Sequence, residues 1–160
     1  MNKRPFEIYI LAVLMVIMGL MAIAGGGLLS IKPDGSLMKI PVSDLSQTPF
    51  PDFLIPGLML LILIGILPLI LTYALFASPK SVIFKKLNLY PDFIWPGTWT
   101  VYYGFLLVLW IIIEISLVGY HTIVQSVVAI WGVVIVALAL MPRVRDYYKL
   151  PSPEQPKLHI

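Results

Sequence analysis

Four stretches of this chain run for 20 residues or more with one charged side chain among them all. They cover residues 8–31, 53–77, 98–120 and 122–141, and the exception is Glu114 in the third. A hydrocarbon core about 30 Å thick is crossed by roughly 20 helical residues. Backbone N–H and C=O groups in lipid find no water, so they must pair within their own segment, and a helix does that. Membrane β-strands would alternate over about 10 residues each, a pattern not seen here. The expected fold is an all-α membrane protein: a four-transmembrane-helix bundle forming one domain over residues 1–150, then a proline-rich cytoplasmic tail at 151–160.

Composition points the same way and removes several function classes. Only 12% of residues are charged, against about 25% in soluble domains, too few to cover a water-facing exterior. The absence of cysteine excludes disulfides, thiolate metal sites and cysteine nucleophiles. Two histidines, His121 and His159, are too few for a histidine-held haem or metal cluster, so neither metal nor cofactor is expected. The net charge of +3 comes from basic residues flanking the apolar runs. Orientation in a membrane accounts for that placement, and no nucleic-acid partner is expected.

Lys3 and Arg4 ahead of an apolar run containing Ala22-Ile23-Ala24 also fit a cleavable signal segment. The run is longer than a usual signal core and three more follow, so it is read as a retained span. Nine Lys or Arg residues (Lys3, Arg4, Lys80, Lys85, Lys86, Arg143, Arg145, Lys149, Lys157) fall on one side of the resulting topology. Lys32 and Lys39 fall on the other. The positive-inside rule then predicts a multi-pass protein of the cell (plasma) membrane with both termini cytoplasmic.

The first connection is the one sizeable extracytoplasmic feature. Lys32-Pro33-Asp34-Gly35 has good turn chemistry. Alternating Leu29, Ile31, Leu37 and Ile40 fit a small β-hairpin on the membrane surface, and an irregular ordered loop fits equally. The second connection mixes Val82, Ile83, Phe84, Leu87 and Tyr90 with Lys80, Lys85 and Lys86, as suits a segment lying in the inner interface. Trp95 and Trp99 follow where an aromatic belt is expected.

Pro51-Asp52-Phe53-Leu54-Ile55-Pro56-Gly57 opens the second span, and Pro91-Asp92-Phe93-Ile94-Trp95-Pro96-Gly97 opens the third. By the topology above these copies face opposite sides, as inverted repeats do. The likeness ends after seven residues, and a capping Asp with an early Pro also explains each copy as a helix start.

A carboxylate inside a span is costly, so Glu114 faces protein or water and has a partner. Helical stepping places Tyr103, Trp110 and His121 on its stripe, and Gln125 at the start of the fourth helix comes near. These residues are the candidate polar or ligand site. In one reading Glu114 exchanges protons or binds a cation beside Trp110 and Tyr103. In the other it is a strut that bonds loop backbone, Gln125 or Ser116 and fixes helix register. With no second acid or base on the stripe, the strut is favoured. On the first helix Ala12, Gly19, Ala22 and Gly26 form a small-residue stripe for close helix packing, within the monomer or in a homo-oligomer. Pro68 is expected to free a backbone carbonyl and kink the second helix.

No phosphate-binding glycine loop, HExxH, GxSxG or paired carboxylates occur, which argues against an enzyme. The Pro49-Phe50-Pro51-Asp52-Phe53 approach to Pro56-Gly57, the run from Trp110 to Glu114 and the Pro142-Arg143 exit resemble small four-helix integral membrane proteins of bacteria, a group with no established activity. The large outer loop looks like that of claudin-type tetraspan proteins, but their loop cysteines are missing. Small multidrug exporters are also similar in having four helices and a membrane Glu, though theirs lies in the first helix. The function expected is that of a non-enzymatic accessory subunit or a lipid- or partner-binding module, its partners being membrane lipids, another membrane protein or a second copy. The alternative is a small oligomeric transporter with Glu114 as its proton- or cation-coupled site.

Overall fold

The computed structural model describes residues 3–150 and is helical, with no β-strands among them. The proline-rich tail lies outside the described residues. α1 covers Phe6–Ile31. The second span is one rod over Leu54–Ala77, in which α2 (Leu54–Met59) passes through a π-helical stretch (Leu60–Ile66) into α3 (Leu67–Ala77). α4 (Val82–Lys86) is a short surface helix, α5 covers Trp95–Val118, α6 covers Ile123–Ala139, and α7 is Pro142–Tyr148.

Three of these helices, α1, the second rod and α5, are long and apolar enough to cross a membrane. The fourth expected span is shorter than the sequence suggested. α6 has 17 residues, about 25 Å at 1.5 Å per residue. It stops because proline disfavours the helical region for the residue before it: Met141, ahead of Pro142, sits at φ −56° and ψ 137°. α7 then leaves at 63°, and a fourth crossing is reached only if the bent pair counts as one span.

The helices pack as two tight pairs. A Cβ on Gly26 of α1 would lie 2.6 Å from the Leu61 backbone nitrogen, and one on Gly19 would lie 2.9 Å from the Gly65 carbonyl oxygen. The stripe of Ala12, Gly19, Ala22 and Gly26 is buried, and its glycines meet the second rod of the same chain. Gly104 of α5 and Gly132 of α6 make the other pair, each Cβ position falling within 2.8 Å of the partner glycine's carbonyl oxygen. Close approach of this kind gives lipid-embedded helices the dispersion contact that the hydrophobic effect does not supply there. Trp131 joins the pairs by donating its indole N–H to the Leu14 carbonyl at 3.3 Å.

Pro68 removes the N–H that would pair with the Ile64 carbonyl four residues earlier. The fully buried Tyr103 of α5 donates its hydroxyl to that carbonyl at 3.1 Å. The π-helical stretch ends two residues before the proline, so the rod absorbs it through a local change of helix type and a bond from a neighbouring helix.

The loop between α1 and α2 is not a hairpin. It holds two 3₁₀ turns, Ser36–Met38 and Val42–Leu45. Gly35 and Lys39 both take positive φ, 72° and 56°, which breaks any extended run. Its apolar residues do not alternate between two faces. Leu29, Leu45 and Phe53 gather into one small core with Ile40 and Phe50 against it, while Leu37 stays exposed.

Candidate functional site

α5 and α6 are joined by a tight turn in which Gly119 takes φ +93°, a value that strains any side-chain-bearing residue. The turn brings Gln125, in the first turn of α6, beside Glu114, near the end of α5. Trp110, one helical turn before Glu114, donates its indole N–H to Glu114 Oε2 at 3.0 Å. Gln125 donates Nε2–H to Glu114 Oε1 at 2.9 Å and also to the Gly119 carbonyl at 3.2 Å. Its own Oε1 accepts from the backbone N–H of His121 at 2.9 Å and of Thr122 at 3.4 Å. The buried Gln125 amide therefore caps α6 in a capping box with Thr122 and clamps Glu114 at the same time.

Its orientation follows from this network. Two backbone N–H groups require the oxygen on the turn side, which leaves the NH₂ facing Glu114. Glu114 thus meets two donors, one on each oxygen, matching the acceptor-only inventory of a carboxylate. The half-buried carboxylate ties α5 to the start of α6.

Only part of the predicted stripe meets here. Trp110, Glu114 and Gln125 bond one another, and His121 contributes its backbone N–H. The exposed His121 ring turns to the Gly119 carbonyl, 3.1 Å from Nδ1. Tyr103 lies eleven residues before Glu114, about 16 Å along the helix axis, and serves the Ile64 carbonyl. Ser116 donates to the Ile112 carbonyl at 2.7 Å. Thr122 and Gly119 complete the cluster and were not singled out from sequence. The Thr–x–x–Gln capping pattern and the lone glycine before it were the available signals. No group of three potential metal-ligating side chains lies together among the described residues.

The opposite end is a second cluster, built by the contacts of α7. Arg4 donates to the Tyr147 hydroxyl at 3.1 Å and to the Phe76 carbonyl at 2.8 Å, with its guanidinium over the Phe76 ring. The buried Tyr148 donates to the Leu75 carbonyl at 2.7 Å and accepts Ile94 N–H on its backbone oxygen. Arg143 pairs with Glu7 at 3.4 Å.

Trp95 is buried and Trp99 half-buried at the start of α5. Their indoles bond the Pro79 and Phe84 carbonyls at 2.9 and 3.0 Å and hold Phe84 between them, pinning α4 to the start of α5. Val82, Ile83 and Leu87 of that segment remain exposed beside Lys85 and Lys86. The two seven-residue repeats also differ in detail. Asp52 accepts the Leu54 N–H at 2.9 Å, whereas at the second copy the Ile94 N–H goes to Tyr148 of α7.

Family models, curated proteins and solved structures were compared with the chain, and none matches.

Proposed function

We propose that this is a multi-pass protein of the cell membrane, with both termini cytoplasmic, that acts by association and not by catalysis: an accessory subunit or a lipid- or partner-binding module. The observation that carries this reading is the state of its intramembrane polar groups. Glu114 spends both oxygens on Trp110 and Gln125. Every buried side-chain nitrogen or oxygen among the described residues has a hydrogen-bond partner within the chain. A transport or reaction site needs polar groups free to take a ligand, and this bundle commits its own to holding helices together. What stays uncommitted is the outer surface, where large apolar side chains cover the flanks and basic residues crowd one end.

The test is native purification of the full chain in mild detergent, with mass spectrometry of whatever travels with it. A co-purifying membrane protein, a defined oligomer or firmly held lipid is expected. A strict monomer retaining none of these would defeat the proposal. Proteoliposomes carrying Glu114→Gln address the transporter reading, which requires a change in uptake or in its pH dependence.

A further inference from the structure

The start of α5, the end of α6 and α7 enclose a cleft of about 150 Å³ lined by Phe93, Gly97, Val101, Ala139, Leu140 and Arg145. Gly97 lets the Tyr148 side chain pack directly on the α5 backbone, since a Cβ there would fall 3.0 Å from it, and the cleft lies beside that contact. The slot is smaller than the roughly 300–1,000 Å³ that encloses a small molecule. It is open at Leu140 and Tyr90, both exposed. Such a shape takes a segment of something longer, the rest of which lies outside.

The walls are apolar apart from the buried Thr98 and the rim. There the Arg145 guanidinium sits 4.9 Å from the centre of the Phe93 ring. Among the described residues Arg145 makes no ion pair. Asp92 and Asp146 are its acidic neighbours in the fold, and neither bonds it. Lys149 is brought alongside by its bridge to Phe93, and Lys85 and Lys86 crown α4 on the same end. The neighbouring surface recess, by contrast, carries Glu7 and Asp146 among its basic residues and is mixed in sign.

We infer that this cleft is a binding site for one anionic phospholipid, with a length of acyl chain against Val101, Ala139 and Leu140 and the headgroup phosphate on Arg145. The inference rests on the association reading and names one ligand class for it. An arginine suits that place because its planar fork grips phosphate bidentately and stays charged at any physiological pH. Anionic lipids concentrate in the cytoplasmic leaflet, where the basic end lies under the proposed topology.

Native mass spectrometry of the full chain, exchanged into equal phosphatidylglycerol and phosphatidylcholine, tests the site. Preferential retention of one phosphatidylglycerol is expected. Arg145→Gln should lower that preference about tenfold, the worth of one hydrogen bond between charged groups. Val101→Phe, which fills the slot, should lower retention of both lipids, and circular dichroism checks that each variant is helical. Equal retention of the two lipids by the wild type overturns the site. So does a preference that survives Arg145→Gln and disappears with Lys85→Gln and Lys86→Gln, which would mark diffuse attraction to α4. If the lipid preference is absent while a protein partner still co-purifies, the site fails and the association reading stands.

Discussion

Exchanging Glu114 for glutamine removes a charge, keeps the shape and gives a sharp test of the strut. Both carboxylate oxygens receive donors, the Trp110 indole at 3.0 Å and the Gln125 amide at 2.9 Å. A glutamine offers one oxygen and one NH₂, so in either orientation a donor faces a donor. Hydrogen bonds to charged groups contribute about 1.5–3 kcal/mol, and interhelical ones measured in membranes average near 0.6 with a maximum near 1.7 kcal/mol. The half-buried position argues for the overlap of those ranges, and the mismatched NH₂ adds to it, giving a loss of about 2 kcal/mol. The exchanged pair, Glu114→Gln with Gln125→Glu, should recover part of that loss, because a carboxylate at 125 no longer donates to the Gly119 carbonyl. A carboxylate at 125 still accepts from His121 and Thr122, now takes the new amide of residue 114, and sits in the first turn of α6 where negative charge is favoured. Equilibrium unfolding of the three variants in mixed micelles reads these differences. If Glu114→Gln is as stable as the wild type, or the exchanged pair is no better than the single variant, the carboxylate is not acting as a strut.

Other expectations follow from the same packing. Tyr103→Phe strips the donor from the Ile64 carbonyl and should cost about 1 kcal/mol in the same assay. Gly26→Leu places atoms where the Leu61 backbone lies 2.6 Å from a Cβ and should cost about 1–3 kcal/mol by prising α1 from the second rod. Because the chain has no cysteine, Lys39→Cys should react with a membrane-impermeant maleimide from outside intact cells, and Lys86→Cys only after permeabilisation; the reverse result inverts the topology. Hydrogen bonds from Ser36, side chain first and backbone N–H second, hold the Asp34 carboxyl below its ordinary value. Its contribution to the loop is therefore present above the usual carboxylate range, about pH 4, and lost as pH falls through the lowered value. Ser36→Ala should move the Asp34 NMR titration upward.

The sequence made the spans legible because lipid leaves a backbone few options, and long uncharged runs have one dominant meaning. It made Glu114 and its nearest partners legible for a related reason: helical spacing fixes Trp110 one turn away, and Gln125 follows too soon to be distant. Tyr103 shares the inward face of the Glu114 stripe but lies three turns away, so sharing a face did not make it a partner of Glu114. The partner of Tyr103 depends on which neighbour supplies a bare carbonyl, and Pro68 announced that carbonyl without saying who takes it. Alternation over a few residues does not distinguish a hairpin from an irregular loop. Positive φ at Lys39 and a local core of Leu29, Leu45 and Phe53 decided its course. An indole at a helix end has the same sequence signature whether it faces headgroups or, as Trp95 and Trp99 do, bonds a neighbouring carbonyl.

The contacts of α7 also set an order of assembly. Arg4 finds Tyr147 across 143 positions of chain, and the Leu75 carbonyl waits for Tyr148 across 73. Ribosomal synthesis delivers Arg4 and the Leu75 carbonyl long before their tyrosine partners, so a nascent bundle carries an unsealed seam at this end until α7 emerges. Whatever guards that seam in the meantime, whether solvent or an insertion factor, must leave before the protein is finished.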